Sequence, residues 1–278
     1  MPEIAAWKIL VPAAGIALVA ILVVRPGEFP SSDKLSAPAT ANHYSTLGYL
    51  AAQELPDSVA LLPPPPQAGS AGMKRDEEAR SAALHLRGSP RYVLATSDAN
   101  RDQAATVAAF QCAFGADINA ARTPTLYKLL SKVRLDVRAT TYVAKSHFLR
   151  PRPFAVNNAH TCYPPDEQNV RNDGSYPSAR GAVGWAYALV LSDLNPERAG
   201  QIIGRAHEFL NSRIVCDEEW QSDVDAGQTV AEATLRHIYQ KPDFRADLSA
   251  ARTEAAAALR SGQTSRNCKS ERLALAGR

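Results

Sequence analysis

Three short segments combine cationic or hydroxyl side chains with turn residues, a combination suited to holding an oxyanion. They are residues 145–153 (KSHFLRPRP), 174–180 (GSYPSAR) and 212–223 (SRIVCDEEWQSD). Proteins bind phosphate with positive charge, with the paired N–H donors of arginine, and with backbone N–H groups at a helix start. Each segment lies next to a predicted helix. Together they predict a phosphate-binding site.

The candidate phosphate-binding groups are three cations, one hydroxyl and one backbone position at a predicted helix start: Lys145, Arg152, Arg213, Ser178 and Ala179. Taken singly, Lys145 and Arg213 also fit solvated surface charges. Ser178 also fits the N-cap of the helix that follows it, because a serine hydroxyl accepts a hydrogen bond from the first turn. Only the combination of the three segments favours a site.

Two carboxylates accompany these cations. Glu219 and Asp223 are spaced i and i+4, which places them on one helix face. Two such carboxylates repel each other and raise one pKa unless cations intervene. With Arg180 included, four cations face two carboxylates, so the candidate site keeps a net positive charge and attracts an oxyanion.

The three segments resemble the motif of the class A non-specific acid phosphatases, secreted bacterial members of the PAP2 superfamily, which is related to the vanadium haloperoxidases. That motif reads K-x6-R-P, then P-S-G-H, then S-R-x5-H-x3-D. The matching residues are Lys145, Arg152-Pro153, Pro177-Ser178, Ser212-Arg213 and Asp223. Stretches 60–66, 184–186 and 220–226 also look like family sequence, and the resemblance covers roughly residues 45–260.

The chain departs from the motif at both histidines. The second element ends in Ala179-Arg180 instead of Gly-His, and position 219 holds Glu219. The resemblance implies that the residue at 219 attacks phosphorus, that the residue at 180 protonates the leaving alcohol, and that Asp223 orients the nucleophile. Arginine is no general acid near neutral pH, because its ordinary pKa exceeds ~12. The predicted catalytic positions are therefore Glu219, Arg180 and Asp223, with the first two substituted.

Two arrangements of Glu219 follow from these substitutions. In the first, its carboxylate reaches Arg152 or Arg213 and occupies the phosphate position itself. In the second, it pairs only with Arg180, as a compensating exchange for the two histidines. The sequence does not choose between them.

Three functions fit the pattern. The first is a degenerate phosphatase that binds phosphate or a small phosphoester without efficient turnover. The second is an active periplasmic acid phosphatase in which Glu219 attacks, since carboxylates form acyl phosphates. The third is a non-catalytic interaction protein. Since no glycine-rich phosphate loop, nucleotide fingerprint or metal signature appears, no metal or cofactor is expected. The resemblance also implies a homo-oligomer.

Composition argues against several other classes. The 278 residues carry a net charge of +3, with 45% apolar and 21% charged residues. These values are ordinary for a globular protein and unlike those of a disordered chain or a multi-span membrane protein. The small net charge and the lack of a basic run predict no nucleic-acid partner.

The N-terminus carries the one membrane-like stretch of the sequence. Lys8 precedes an apolar run over residues 9–24, and Arg25 ends it. Sixteen helical residues span roughly 24 Å, short of the ~30 Å bilayer core. Residues 1–25 therefore predict a signal peptide or a marginal membrane anchor, followed by a linker over 26–41. The predicted location is periplasmic, with membrane contact only through this segment.

Export makes disulfides the expected role of the four cysteines, Cys112, Cys162, Cys216 and Cys268. They lack the close pairing of zinc ligands, and four cysteines allow three connectivities. The resemblance implies a Cys162–Cys216 pair.

The remaining pattern is helical and predicts an all-α, single-domain bundle over residues 42–262. Thr123-Pro124 predicts a helix start, with an apolar stripe running on to about residue 148. Residues 179–194 predict a central buried helix, and 196–210, 218–239 and 244–259 predict further helices. Residues 91–95 weakly suggest a strand, and 61–66 an extended proline arm. The polar tail over 263–278 is predicted to be loose unless Cys268 ties it down.

Overall fold

A computed structural model of the protein describes residues 48–276, and that range contains helices and loops but no strand. The helices are α1 (Ser58–Leu61), α2 (Ala71–Leu84), α3 (Pro90–Ala99), α4 (Gln103–Ala108), α5 (Gln111–Phe114), α6 (Pro124–Phe148), α7 (Pro153–Val156), α8 (Pro164–Arg171), α9 (Ala179–Leu194), α10 (Ala199–Val215), α11 (Gln221–Ile238), α12 (Pro242–Ser261) and α13 (Cys268–Ala276). Short 3-10 turns cover Ala52–Glu54 and Pro196–Arg198. The all-α prediction is confirmed.

The helix α9 lies at the centre of the bundle. It packs against α6, α10 and α11, and most of its residues are buried. Its small residues allow close helix approach: a Cβ added at Gly184 would come within 2.4 Å of the Phe209 ring on α10. The prediction of a central buried helix over 179–194 is therefore confirmed, and the start of this helix brings Ser178 into the middle of the molecule.

The helix α6 begins at Pro124 as predicted, and its apolar stripe is buried. Its N-terminus is capped by a distant residue instead of Thr123. The Glu254 carboxylate on α12 accepts hydrogen bonds from the backbone N–H groups of Thr125 and Leu126 at 3.0 Å each. This contact ties α6, which carries Lys145 at its far end, to α12.

The predicted strand at residues 91–95 is wrong. These residues lie inside α3, whose N-cap Ser89 accepts a hydrogen bond from the Tyr92 N–H and whose first residue is Pro90. A serine cap followed by proline starts a helix, and this local signal outweighs the weak alternation. The proline arm is extended past Leu62 as predicted, and the Pro63 carbonyl accepts a hydrogen bond from the Tyr176 hydroxyl at 2.7 Å.

The two disulfides pair Cys112 with Cys268 and Cys162 with Cys216. The second is the pair that the resemblance implied. The first ties down the C-terminal segment, which forms α13 and packs against α3. The helical body therefore extends beyond residue 262, and Cys268 accounts for the order of the segment that was otherwise predicted to be loose.

The predicted signal peptide or anchor (1–25), the linker (26–41) and the first residues of the predicted domain (42–47) lie outside the described residues. Within residues 48–276, no helix has the length and apolar character needed to cross a membrane.

Gly227 on α11 lies close against the backbone at the start of α9. A Cβ added there would lie 2.6 Å from the Ser178 carbonyl oxygen and 3.2 Å from the Ala182 nitrogen. Because these are backbone atoms, the start of α9 would have to move. Glycine at 227 therefore fixes the position of Ser178.

We expect Gly227→Ala to destabilise the protein by about 1–3 kcal/mol, the usual cost of overpacking a close contact. Gly204→Ala on α10 is the matched control, because a Cβ there meets no atom within 4 Å. The control is expected to gain about 0.5–1 kcal/mol from helix propensity. Urea unfolding of both variants measures the difference, and equal stabilities would contradict the close contact at Ser178.

Candidate functional site

The three motif segments meet at one end of the bundle. Lys145 lies in the last turn of α6, Arg152 precedes α7, Ser178 precedes α9, Arg213 lies in the last turn of α10, and Glu219 precedes α11. Lys145, Arg152 and Glu219 line a pocket of about 70 Å³, called here the anion pocket, whereas Ser178 and Arg213 lie behind Glu219 and do not line it. The lining residues are Arg101, Arg134, Arg138, Tyr142, Lys145, Arg152, Asp173, Ala179, Arg180, Val183 and Glu219. Six of the lining side chains are cationic and two are acidic. The lining therefore carries a net positive charge, although Arg213 and Asp223 of the predicted set are not part of it.

Glu219 is buried and contacts three side chains of the motif segments. Its Oε2 accepts a hydrogen bond from the Ser178 hydroxyl at 2.5 Å and lies 3.4 Å from Arg213 Nε. Its Oε1 lies 3.5 Å from Arg152 Nη1. The side chain is 3% exposed. The structure thus shows the contacts expected for the first arrangement, in which Glu219 reaches Arg152 or Arg213.

The cations around Glu219 keep it ionised. Burial alone raises the pKa of a carboxyl group, but Arg213, Arg152 and Lys145 overcome this effect and lower the pKa of Glu219 to about 2. Glu219 is therefore a fixed internal anion.

Arg213 is fully buried between two carboxylates. One guanidinium nitrogen donates to Glu218 and another faces Glu219. These two carboxylates outweigh the cost of burial and raise the pKa of Arg213. This burial excludes a solvated surface charge at Arg213, while its phosphate-binding role stays a prediction.

Lys145 and Arg152 point at the loop before α9. The Lys145 ammonium donates to the Gly174 carbonyl at 2.5 Å, and Arg152 donates to the carbonyls of Asp173, Gly174 and Glu218 at 3.0–3.2 Å. Burial and the charge of Arg152 lower the pKa of Lys145 to about 8. Both cations are buried rather than solvated.

The hydroxyl group of Ser178 makes two hydrogen bonds, one of which is the predicted N-cap. Its hydroxyl oxygen accepts a hydrogen bond from the Gly181 N–H at 2.8 Å, which caps α9, and its O–H donates to Glu219. Ala179, the next residue, lines the pocket at the N-terminal end of α9.

Arg180 lines the pocket but does not pair with Glu219, so the second arrangement is wrong. Its guanidinium donates to the backbone carbonyls of Asp98 and Asn100 and, at 3.1 Å, to the Thr106 hydroxyl. It also lies 5.2 Å from the Phe209 ring centroid. Burial, together with Arg213 and Arg101, lowers the pKa of Arg180 to about 9. Backbone carbonyl groups at the end of a helix have no partner within it, and Arg180 donates to those at the end of α3 instead of to Glu219.

Asp223 is held away from Glu219. Its Oδ1 accepts from Arg150 at 2.6 Å and its Oδ2 accepts from the Trp220 N–H at 2.7 Å. Burial raises the pKa of Asp223 to about 6, against the opposing effect of Arg150. The expected repulsion also contributes, because Glu219 raises the pKa of Asp223 further. In this structure Asp223 orients the start of α11 and Arg150.

Several residues that line the pocket were not predicted from the sequence. Arg134, Arg138 and Tyr142 line the pocket from α6 and are half-buried. Their spacing was visible, because steps of four along a helix from residue 134 to 142 fall on the face that presents Lys145. Arg101 and Asp173 come from loops and carried no such signal.

The arrangement can hold an oxyanion through cations and the N-terminal end of α9. It does not present a free nucleophile, because both oxygens of Glu219 face donors. Among the pocket-lining residues of the described chain no histidine is present.

Comparisons with known proteins agree with this geometry. Residues 128–247 match the model of the PAP2 superfamily. The chain is 37% identical over 232 residues to a non-specific acid phosphatase of Providencia stuartii, covering 82% of this chain and 94% of that one. It is 37% identical over 203 residues to a non-specific acid phosphatase of Salmonella typhi, covering 73% of this chain and 81% of the other.

An acid phosphatase of Zymomonas mobilis is 34% identical over 208 residues, which cover 75% of this chain and 79% of the relative. The PAP2 match over residues 128–247 includes all three motif segments. Identity of this level over most of both chains, joined to the all-helical bundle, shows that this chain belongs to the acid phosphatase family of the PAP2 superfamily.

Proposed function

We propose that this protein binds phosphate or a phosphoester in the anion pocket and does not hydrolyse it by the two-histidine route of its family. The observation that carries the proposal is the position of Glu219. Its carboxylate accepts from Ser178 and faces Arg152 and Arg213, the three motif side chains expected to hold a phosphoryl group. A carboxylate there competes with the phosphoryl group for those donors.

The chemistry of the substituted residues supports the proposal. A nucleophile needs a lone pair free to attack, and strong pairing with two arginines together with a pKa near 2 makes Glu219 a weak one. Arg180 donates its N–H groups to Asp98, Asn100 and Thr106, so no proton donor faces a leaving group from that position. General acid catalysis alone contributes about 10²–10⁴ in rate.

The test measures hydrolysis of p-nitrophenyl phosphate between about pH 4 and 8, the range in which a catalytic carboxyl or imidazole group titrates. We expect no turnover above background for the wild type and measurable turnover for Glu219→His. This substrate needs little help from a general acid, because p-nitrophenolate is a weak base. The single variant therefore tests the nucleophile without disturbing Arg180, and adding Arg180→His extends the test to an alkyl phosphate.

A wild type that hydrolyses the substrate and loses this activity in Glu219→Ala would overturn the proposal in favour of an active phosphatase that uses a carboxylate nucleophile. A wild type that neither hydrolyses it nor gains thermal stability from phosphate or vanadate would favour a non-catalytic interaction protein.

We also propose that the protein is exported to the periplasm. Two disulfides join distant parts of the chain, and such bonds persist in oxidising compartments. The apolar stretch over residues 9–24 supports the same location. Fractionation of the native host, followed with an antibody against the protein, tests the location.

A further inference from the structure

We propose that the anion pocket recognises a ligand with two adjacent phosphoryl groups, and that Arg134 and Arg138 bind the outer one. This inference rests on the proposed phosphoester binding and names the class of ligand. It starts from the charge balance of the pocket.

Two of the lining arginines are neutralised by carboxylates. Arg152 faces Asp173 and Glu219 at 3.2 and 3.5 Å. Arg101 faces Asp166 and Glu218. Among the lining cations, both carboxylates that line the pocket, Asp173 and Glu219, thus form their ion pairs with Arg152.

Four lining cations have no ion pair within residues 48–276. Lys145 donates to the carbonyls of Gly174 and Ser175, and Arg180 donates to carbonyls and a hydroxyl. Arg134 donates to the Arg101 carbonyl at 2.8 Å. Arg138 shows no side-chain hydrogen bond or ion pair to any described residue. Neutral acceptors do not cancel the charge of these cations, and the pocket lining holds four more cations than carboxylates.

Three of these cations lie along one helix. Arg134, Arg138 and Lys145 share a face of α6, and Arg134 and Arg138 are half-buried whereas Lys145 is buried. At ~1.5 Å per residue, Arg138 and Lys145 are roughly 10 Å apart along the helix, within reach of an extended two-phosphoryl ligand held by long side chains. Burial and the charge of Arg138 lower the pKa of Arg134, which shows that the two arginines repel each other.

A single phosphoryl group does not balance this charge. A phosphomonoester carries about −1.5 to −2 near neutral pH, while the lining holds four more cations than carboxylates, and Glu219 already occupies the inner donors. A diphosphate adds negative charge and a second set of oxygen acceptors, and Arg134 and Arg138 bind these outer oxygens. Arginine suits this role because its forked N–H groups match phosphoryl oxygens.

Isothermal titration of the purified full chain tests the inference with inorganic phosphate, inorganic diphosphate, a nucleoside diphosphate and citrate, at constant ionic strength near 0.15 M. Citrate carries several charges without phosphoryl groups. We expect diphosphate to bind at least about tenfold more tightly than phosphate or citrate, since each charge-assisted hydrogen bond is worth roughly a factor of ten. Equal binding of inorganic diphosphate and the nucleoside diphosphate would place recognition in the phosphoryl groups alone, and tighter binding of the nucleotide would add a contact to the base or sugar.

The double variant Arg134→Gln, Arg138→Gln is expected to lose this preference, with diphosphate affinity falling about tenfold or more and phosphate affinity nearly unchanged. Lys128→Gln is the matched control, because it removes one charge from an exposed position of α6 outside the pocket and is expected to bind like the wild type. If phosphate binds as tightly as diphosphate, or if the double variant keeps the preference, the inference is overturned while phosphoester binding stands. If no phosphate compound binds, both proposals fail.

Discussion

Replacing Glu219 with alanine is expected to make the stability of the protein depend on phosphate. In phosphate-free buffer the variant should lose about 3–5 kcal/mol, because Arg152 and Arg213 lose a buried partner. Inorganic phosphate should then restore much of that loss by occupying the vacated donors. A ligand at 100 times its Kd contributes about 2.7 kcal/mol. Urea unfolding with and without phosphate measures both effects.

Glu77→Ala is the matched control for that experiment, since Glu77 is an exposed carboxylate on α2. It should unfold like the wild type in either buffer. If phosphate stabilises wild type and Glu219→Ala equally, Glu219 does not occupy the phosphate position.

The same pair of proteins should differ in their response to acid. The pKa of Glu219 is lowered from 4.5 to about 2 in the folded state. Its ionisation therefore contributes stability that is fully present above about pH 4.5 and is lost as the pH falls toward 2, in total about 3 kcal/mol. The stability gap between wild type and Glu219→Ala should narrow across this interval.

Replacing Arg213 with methionine is expected to be equally severe. Its guanidinium is fully buried and faces both Glu218 and Glu219. Removing it leaves two neighbouring buried carboxylates without their shared partner, at a cost of about 3–5 kcal/mol. The deficit should shrink as the pH is lowered, because protonation of Glu219 removes its repulsion of the neighbouring carboxylate. Urea unfolding at several pH values measures the deficit.

A second variant separates charge from packing. Arg213→Met combined with Glu218→Gln and Glu219→Gln removes the unpaired charges while keeping side-chain size, and it should recover part of the lost stability. Arg75→Met, at an exposed position of α2, is the control and should cost less than about 0.5 kcal/mol. A triple variant no more stable than Arg213→Met would show that the loss comes from packing.

The sequence predicted the parts of the fold that have local signals. The start of α6 at Thr123-Pro124 and the buried character of α9 follow from turn chemistry and from apolar spacing, which depend on neighbouring residues only. The interpretation of residues 91–95 as a weak strand was wrong, because alternation of apolar and polar side chains over five residues is a weaker signal than the Ser89-Pro90 helix start.

The candidate site was predictable as far as its motif segments, but its pairings were not. Arg180 finds its acceptors about 80 residues away at the end of α3, and Arg150 joins Asp76 to Asp223 across similar distances. Such contacts arise from packing of elements far apart in the chain, and one sequence carries no record of them. Arg134 and Arg138 differ in this respect, because their spacing on α6 shows from the sequence alone that they share a face with Lys145.

The contacts of Arg180 also bear on the effect of a histidine at this position. Its guanidinium supplies the donors for the carbonyls of Asp98 and Asn100, and an imidazole at the same position is too short and has too few N–H groups to replace them. Histidine at this position would thus leave backbone acceptors without the partners that they now have. Arginine at position 180 therefore joins the start of α9 to the end of α3, and Arg180→His is expected to weaken that junction even where it supplies a proton donor.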